Sequence, residues 1–401
     1  MPSPAATAHA SANATTRRTK HKVRSTVLVA LATAALLLIR WRAQLWTSWG
    51  LIDLDVFRRG GHALVHSQSL YANRPELPFT YPPFAALLFT PLSITGRTPA
   101  IAAITAASLL SYVVIVRVCA TVLALPARTV TMCAIGCLGY EPVLRTLQLG
   151  QVNLVLVALV LLDAGRVPTR FRGTLTGLAA GVKITPSVFL LYYALRRDWA
   201  AVGRCAAAFV ASMLIGAIWA PHDSRAYWSR LGGLPDRVGG RLYVDNQSIG
   251  GVLARTLHTQ HPPTVLTATL SLAALALAVL AAHRRLTRHD DSLGALVCIA
   301  IGGLLVSPIS WTHHWVWFVP ATLVLIAHGN RATAAAVYLT CALAPCWFTP
   351  SGDLRELHDA PWQVGLSAMF AVVGVGVLIA LARPSVPLSG SDRPLVSLAA
   401  R

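Results

Sequence analysis

The carboxylates of this chain are few, and two of them stand where they could do chemistry. Only 15 of its 401 residues are Asp or Glu, and Asp53 and Asp55 lie two positions apart in the segment WGLIDLDVFRRGG. A carboxylate held in a cleft can take a proton from a hydroxyl group as a general base. Acidic residues in a largely apolar membrane protein are often functional, although an acidic residue in an external loop can equally be a solvated side chain.

Other side chains able to carry positive charge lie far along the chain. Lys183, in the segment GVKITP, is the only lysine after residue 22, and His313 and His314 are adjacent in SPISWTHHWVW. On a helix two adjacent histidines diverge by about 100°, so they are poorly placed to bind one metal together. Lys183 could instead extend to the membrane interface, and one histidine could be structural.

Polar residues also mark the ends of several apolar segments. Tyr81 lies in FTYPPFAA, Gln151 and Asn153 in GQVN, and Asn246 and Gln247 in DNQS. Such amides can bind a ligand, but they also cap or pack helices, and either Asn246 or Ser248 is suited to cap the helix that follows. Tyr81 can equally belong to an interfacial aromatic belt.

The composition shows which elements must position these residues. The chain is 55% hydrophobic and 12% charged, with a mean hydropathy of +0.59. It therefore has more apolar surface than a soluble domain of this size can bury. We therefore predict an all-α, polytopic membrane protein of about ten to twelve membrane segments. The predicted segments are Ser25–Ile39, Ala100–Leu123, Val152–Leu162, Gly173–Leu195, Ala200–Trp219, Val265–Ala282, Leu293–Val306, Trp315–Ala327, Ala334–Cys346 and Val364–Ala382, with shorter or broken helices at Pro82–Ile94 and Val130–Gly139.

The net charge of +19 follows from topology rather than from nucleic-acid binding, because arginines and lysines concentrate on cytoplasmic flanks. If the basic clusters lie on the cytoplasmic side of the plasma membrane, both termini are cytoplasmic. The predicted external loops are 44–80, 140–150, 221–262, 307–314 and 348–361. In this topology Gly173–Leu195 either re-enters from the cytoplasmic side or is miscounted as a segment, and Lys183 is expected nearer that side.

The chain divides into a single membrane domain and two tails. Residues 1–24 are expected to form a disordered basic cytoplasmic tail, residues 25–383 the multi-span domain, and residues 384–401 a second cytoplasmic tail. Ser25–Ile39 is expected to be an uncleaved signal anchor. The seven cysteines form no C-x-x-C pair, so we expect no metal or redox site.

Several of these segments, taken together, resemble a known enzyme family. The motifs D-L-x-V-F/Y, F-T-Y-P-P-F-A-A, G-Q-V-N, G-V-K-I-T-P, N-Q-S and S-P-I-S-W-T-H-H-W-V-W occur in order over about residues 50–320. The chain thereby resembles the polyprenol-phosphate-mannose-dependent α-(1→2)-mannosyltransferases of actinobacterial envelopes. That family is glycosyltransferase family eighty-seven, of fold class GT-C.

This resemblance implies an inverting glycosyltransferase on the extracytoplasmic face. The donor would be mannose on a polyprenyl phosphate, and the acceptor a phosphatidylinositol mannoside, lipomannan or lipoarabinomannan. A carboxylate of the first external loop acts as base in GT-C enzymes, and the motif places it at Asp53. Because Asp55 occupies the variable position and Phe57 stands where Tyr is common, Asp55 remains the alternative.

The implied reaction makes modest demands on the protein. Inversion of a β-linked donor needs one displacement, one base and no covalent intermediate. Phosphate is already a good leaving group, so no partner acid and no cofactor is required, and a metal is not indicated. Cations or hydrogen-bond donors would stabilise the negative charge that grows on the departing phosphate. The candidates for this role are His313, His314, Lys183, Arg58 and Arg59. Further residues that could bind the sugar donor are Tyr81, Gln151, Asn153, Asn246 and Gln247.

Three alternatives remain open from the sequence. An arabinofuranosyltransferase using polyprenyl-phosphate arabinose would have the same features. A transporter or flippase of lipid-linked sugars would also be basic and polytopic, although such proteins often contain internal repeats, and none is apparent. A non-catalytic scaffold would tolerate the loss of Asp53.

Overall fold

The computed structural model describes residues 50–72, 77–230 and 240–383. The predicted tails 1–24 and 384–401 and the predicted anchor Ser25–Ile39 lie outside these residues. Within them the secondary structure is helical, apart from one isolated bridge between Asn246 and Trp311. The all-α prediction is thus confirmed for the described part of the chain.

The helices follow one another through short connections. The first are α1 (Ile52–Val65), α2 (Pro83–Ile94), α3 (Arg97–Val122), α4 (Ala127–Leu138), α5 (Glu141–Leu149), α6 (Asn153–Gly165), α7 (Thr174–Val182), α8 (Leu190–Leu195) and α9 (Trp199–Trp219). They are followed by α10 (Pro221–Ser229), α11 (Ile249–Thr256), α12 (Thr264–His289), α13 (Ser292–Val306), α14 (Phe318–Ala327), α15 (Arg331–Leu343), α16 (Pro361–Ser367) and α17 (Met369–Ala382). Short 3₁₀ segments occur at Thr169–Phe171, Thr185–Phe189, Thr312–Trp317, Pro345–Phe348 and Arg355–His358.

Among the described residues, three helices are long and apolar enough to cross a membrane: α3, α9 and α12. Two bent pairs reach that length only together: α5 with α6, bent by 117°, and α16 with α17, bent by 59°. The described part of the chain therefore has three helices of this length and composition, or five if each bent pair counts as one. Shorter apolar helices of 10–17 residues lie at α2, α4, Thr185–Leu195, α13, Thr312–Ala327 and α15.

Three predicted external loops contain α-helices. Loop 44–80 contains α1, which buries Leu54, Phe57 and Gly61 on one face. Loop 140–150 contains α5, and loop 221–262 contains α10 and α11, of which α11 is the helix expected after the DNQS segment. At the start of α11, the Ser248 side chain accepts a hydrogen bond from Gly251 N, which confirms Ser248 as the N-cap. These helices are amphipathic, so their mean hydropathy resembles that of a loop.

The predicted segment Gly173–Leu195 is a hairpin, which is the form expected of a re-entrant segment. Helix α7 ends at Val182, Lys183 is extended, and the chain returns through the 3₁₀ turn Thr185–Phe189 and α8. Arg172 and Asp198, at the two ends of this 173–196 hairpin, form an ion pair of 3.4 Å. Pro186 lacks the N–H that a continuous helix would need, which favours a break at this point.

Two apolar clusters form the core. The larger lies between α12, α13, α14 and α17, where Trp315, Phe318 and Phe370 pack together. The smaller lies under α1 and α2, where the Phe57 and Phe89 rings stack with centroids 4.2 Å apart. The smaller cluster fixes α1, and with it the first-turn carboxylates, against the rest of the bundle.

Buried charges gather at the end of the bundle where α12 meets α13. Arg285 is fully buried and donates to Leu381 O at 2.7 Å. Asp291, which caps α13, lies 2.7 Å from His328 Nε2 and 3.7 Å from Arg285. Helix α13 rises about 1.5 Å per residue away from this cluster, so its other terminus, at Val306, marks the opposite end of the bundle.

At that opposite end, a sharp turn joins α5 to α6. Gly150 has a left-handed backbone (φ +69°), and a Cβ at this position would lie 2.8 Å from Leu54 Cβ of α1. Leu51 N of α1 also donates to Gln148 O at 3.0 Å. A glycine is required here because any side chain would meet α1 and strain the turn.

We expect Gly150→Ala to lower the thermal unfolding midpoint of the purified protein clearly more than Gly329→Ala. Gly329 has a similar φ of +75° but has open space around it. Both substitutions carry the left-handed cost of about 1–2 kcal/mol, but only Gly150→Ala adds overpacking of about 1–3 kcal/mol. Equal midpoints for the two variants would contradict the proposed close approach of α1.

Candidate active site

Asp53 lies in the first turn of α1 and is held by residues from two other segments. Its Oδ2 accepts a hydrogen bond of 3.0 Å from Gln151 Nε2, at the α5–α6 turn. The Tyr81 hydroxyl lies 3.0 Å from Gln151 Nε2 and 3.1 Å from Gln151 Oε1. Three of the residues predicted from sequence therefore form one hydrogen-bonded group.

Asp55, the alternative to Asp53, has a different environment. Its carboxylate forms an ion pair of 3.3 Å with Arg97, whose side chain is 51% exposed. Arg97 also donates to Gly50 O at 3.0 Å. Asp55 thus ties the start of α1 to α3 on the surface, whereas Asp53 faces the interior.

Lys183, at the tip of the 173–196 hairpin, joins this group from another side. Its Nζ donates to Asn153 Oδ1 at 3.1 Å and lies 3.0 Å from His314 Nε2. The same ammonium lies 5.7 Å from the centroid of the Tyr81 ring. The expectation that Lys183 lies nearer the opposite side from these residues is wrong, because α7 carries it to the end of the bundle that holds Asn153 and His314.

The two adjacent histidines have separate environments. His314 contacts Lys183, whereas both ring nitrogens of His313 lack a hydrogen-bond partner within the described part of the chain. The His313 backbone carbonyl accepts from Asn153 Nδ2 at 2.9 Å. The 3₁₀ turn Thr312–Trp317 thus presents two imidazoles in different directions from one fixed backbone.

A central cavity of about 370 Å³ is lined by Asp53, Tyr81, Gln151, Lys183 and both histidines. Two further cavities adjoin it. An apolar cavity of about 310 Å³ shares Lys183 and His314 with it and continues along Leu156, Val160, Leu304 and Trp317. An acidic cavity of about 350 Å³ shares Asp53, Leu77, Trp311 and His313 with the central cavity, and is further lined by Arg145, Tyr243, Asp245 and Glu356.

The electrostatic state of Asp53 follows from this setting. Burial raises the pKa of the Asp53 carboxyl from its ordinary 3.8 to about 6. The hydrogen bond from Gln151 and the positive charges of Lys183 and Arg145 lower the pKa and so limit the rise. A carboxyl with this pKa is ionised at neutral pH and is a stronger base than an ordinary aspartate.

Four further residues predicted from sequence bind backbone groups away from the central cavity. Arg58 donates to the carbonyls of Leu92 and Thr95, and Arg59 to that of Leu77. Gln247 donates to the carbonyls of Val244 and Ser367, each at 2.7 Å. Asn246 accepts from Ser310 N at 2.9 Å and donates to Arg241 O at 3.0 Å. These side chains fix backbone segments, which is a structural use.

Three cavity residues were not selected from the sequence. Arg145 lies on α5 with its guanidinium 4.9 Å from the centroid of the Trp347 ring. Asp245 and Glu356 are 5% and 1% exposed. A charged residue inside an apolar stretch, such as Arg145, is a signal that could have found it. Among the described residues no group of three or more His, Cys, Asp or Glu is placed to hold a metal ion.

Comparison with known proteins identifies relatives of this chain. The chain is 37% identical to a polyprenol-phosphate-mannose-dependent alpha-(1-2)-phosphatidylinositol mannoside mannosyltransferase of Mycolicibacterium smegmatis, over 88% of this chain and 92% of the relative. It is 34% identical to the protein of the same description in Mycobacterium tuberculosis, over 88% and 90% of the two chains. A phosphatidylinositol pentamannoside mannosyltransferase of M. smegmatis is 35% identical over 75% of both chains.

No solved structure matches this chain significantly. The sequence profile of glycosyltransferase family 87 matches residues 79–308. The matched region contains Tyr81, Gln151, Asn153 and Lys183, which are four of the residues around the central cavity. The resemblance inferred from the motifs is therefore confirmed, and the chain belongs to glycosyltransferase family 87.

Proposed function

We propose that this protein transfers mannose from polyprenyl-phosphate mannose to a phosphatidylinositol mannoside, with inversion, to form an α-(1→2) linkage. One observation carries the proposal: the central cavity has a carboxylate, Asp53, on one wall and the ammonium of Lys183, 3.0 Å from His314 Nε2, on another. Such a cavity offers a base that can deprotonate the acceptor hydroxyl, and hydrogen-bonding groups that can bind the leaving phosphate. The relatives are described as polyprenol-phosphate-mannose-dependent mannosyltransferases, which agrees with this chemistry.

The donor fits the central and apolar cavities together. The phosphate would lie at Lys183 and His314, which line both cavities. The first isoprene units would follow the apolar cavity past Leu156, Leu304 and Trp317. The mannose would then occupy the central cavity between the phosphate and Asp53, beside Tyr81 and Gln151.

The reaction is a single displacement. The acceptor hydroxyl oxygen attacks C1 of mannose, its proton passes to the Asp53 carboxylate, and the bond between C1 and the phosphate oxygen breaks. The bonding electrons leave with the phosphate, whose added charge Lys183 and His314 stabilise. Each well-placed donor of this kind contributes a few kcal/mol to transition-state stabilisation.

We place this site on the extracytoplasmic face of the plasma membrane. Arginines gather at the other end of the bundle, where Arg172, Arg204 and Arg285 form ion pairs or bind carbonyls. Excess positive charge favours the cytoplasmic side. In this GT-C arrangement the shorter apolar helices also lie within the bilayer, which gives about ten to twelve segments with both termini inside.

The sequence-based alternatives are now less well supported. The relatives named above are described as mannosyltransferases, which favours mannose over arabinose as the donor sugar. A transporter does not need a base and a phosphate site in one cavity. A scaffold does not need a carboxyl with a pKa raised to about 6 beside a buried cation.

We expect Asp53→Asn to reduce mannosyl transfer by about 10²–10⁴-fold, because the base is lost. Asp55→Asn is the matched control and should retain transfer within a few-fold, since an exposed ion pair contributes about 1 kcal/mol or less. Transfer from radiolabelled polyprenyl-phosphate mannose to a phosphatidylinositol mannoside measures both, with the chromatographic profile as the folding check. A folded Asp53→Asn variant with full activity would overturn the assignment.

The acid limb of the pH profile should report Asp53. Its pKa is raised to about 6, so the basic form is lost as pH falls through that value, and kcat/KM should drop tenfold per unit below it. Gln151→Leu removes a donor to the charged form, so the limb should move to higher pH. A limb that stays in place or moves to lower pH in Gln151→Leu would exclude Asp53 as the titrating base.

Lys183→Met should reduce kcat/KM for the donor by about 10²–10³-fold, because a cation is lost from the leaving phosphate. Lys183→Arg keeps the charge and should lose much less. Steady-state kinetics with varied donor at saturating acceptor separate the two variants. Equal activity of Lys183→Met and wild type would remove Lys183 from the phosphate site.

A further inference from the structure

The acidic cavity has walls that the proposed donor does not use. Asp245, Glu356 and Arg145 line it but do not line the central or apolar cavity. It meets the central cavity at Asp53 and His313. A molecule placed in the acidic cavity would therefore reach the base across a boundary that does not contain Lys183 or His314, the proposed phosphate site.

Two buried carboxylates are held rigidly in its wall. Asp245 Oδ1 accepts from Thr312 N at 2.8 Å. Glu356 Oε1 accepts from Gly352 N at 2.9 Å and Val244 N at 3.3 Å. These bonds use Asp245 Oδ1 and Glu356 Oε1. A carboxylate offers about four acceptor positions on its two oxygens, so a ligand with hydroxyl groups fits here.

His313 gives a second, independent indication of a ligand. Its side chain is buried, with 4% of the residue exposed, yet neither ring nitrogen has a hydrogen-bond partner in the described chain segments. It stands where the acidic and central cavities meet, as Asp53 does. A hydroxyl bound at this boundary can hydrogen-bond to His313 while it faces the Asp53 carboxylate.

Aromatic rings complete the cavity. The Tyr243 and Trp311 rings meet edge to face, with centroids 6.1 Å apart, and Trp347 holds the Arg145 guanidinium at 4.9 Å from its ring centroid. A pocket with apolar aromatic faces and a few fixed polar groups suits a ring-shaped ligand that carries several hydroxyls. The dimensions of the acidic cavity, about 350 Å³, leave room for a sugar ring.

The charge of the cavity distinguishes between parts of a glycolipid acceptor. Four carboxylates, those of Asp53, Asp245, Asp353 and Glu356, line the cavity together with one guanidinium, that of Arg145. A phosphodiester in this cavity would be surrounded by like charges, which is unfavourable at any effective dielectric constant of a protein interior. A neutral sugar meets no such penalty and can donate hydroxyl protons to the carboxylates.

We infer that the acidic cavity binds the terminal mannose of the acceptor, with Asp245 and Glu356 as specificity-determining residues, and that the phosphoinositol group stays outside it. This inference rests on the proposed function. It has a direct consequence for substrate choice. A mannoside without any phosphate, such as octyl α-mannoside, is then an acceptor, because the recognised part of the glycolipid is the sugar.

The test uses the full-length protein in lipid nanodiscs with saturating polyprenyl-phosphate mannose. Acceptor KM is measured for a phosphatidylinositol mannoside and for octyl α-mannoside, in wild type, Asp245→Asn and Glu356→Gln. Both substitutions keep the oxygen that accepts from the backbone. Asp290→Asn is the control: it lies in a left-handed turn that Asn tolerates, at the far end of the bundle.

In wild type both acceptors should be used. Asp245→Asn and Glu356→Gln should raise the KM of both acceptors by about the same factor, tenfold or more, as expected for a lost hydrogen bond to a charged group. The donor KM should change less than twofold, and Asp290→Asn should behave as wild type. A purely structural role would change donor and acceptor KM together.

Three results would overturn the inference while leaving the proposed function intact. In the first, wild type uses the phosphatidylinositol mannoside but not octyl α-mannoside. In the second, both variants keep the wild-type acceptor KM. In the third, the KM rises for the phosphatidylinositol mannoside alone, which would place the phosphoinositol group in the cavity. If wild type transfers no mannose to either acceptor, the proposed function itself fails, and the inference fails with it.

Discussion

The hydrogen bond from Gln151 to Asp53 depends on the sharp turn at Gly150, and most of the site depends on the same turn. The 117° bend between α5 and α6 places Gln151 against Asp53, and it points Asn153 toward Lys183. Arg145 lies one and a half turns earlier on α5, in the wall of the acidic cavity. One bent pair of helices therefore supplies groups to all three cavities.

The second constraint is the 173–196 hairpin, which brings a cation into the same space. Lys183 is held by Asn153 and His314 rather than by a carboxylate. An ammonium without a direct anionic partner is costly to bury, and an anionic ligand would offset that cost. Asp53 is likewise costly in its charged form, as its raised pKa reflects. The proposed reaction lowers both energetic costs. The acceptor proton neutralises the Asp53 carboxylate, and the negative charge on the phosphate grows beside the Lys183 ammonium.

The sequence allowed much of this to be predicted, since the motifs that carry chemistry are local. The all-α class, the family, and Asp53, Tyr81, Gln151 and His314 as neighbours of one site were accessible from segment patterns. The side of Lys183 was not, because the hydropathy of a re-entrant segment does not show how far its tip extends through the bundle. Arg58 also illustrates the limit: its charge suggested phosphate binding, but its partners are the carbonyls at the end of α2. Such long-range pairings appear only once the helices are packed.

The central proposal is that one donor molecule spans Lys183 and Asp53, with its phosphate at the first and its sugar before the second. A structure of the Asp53→Asn protein with intact polyprenyl-phosphate mannose tests this most directly, because the donor should accumulate without turnover. The phosphate is predicted within hydrogen-bonding distance of Lys183 Nζ and His314 Nε2, with mannose C1 facing position 53 and the isoprene chain in the apolar cavity. A phosphate bound instead in the acidic cavity, beside Arg145, would contradict the proposal.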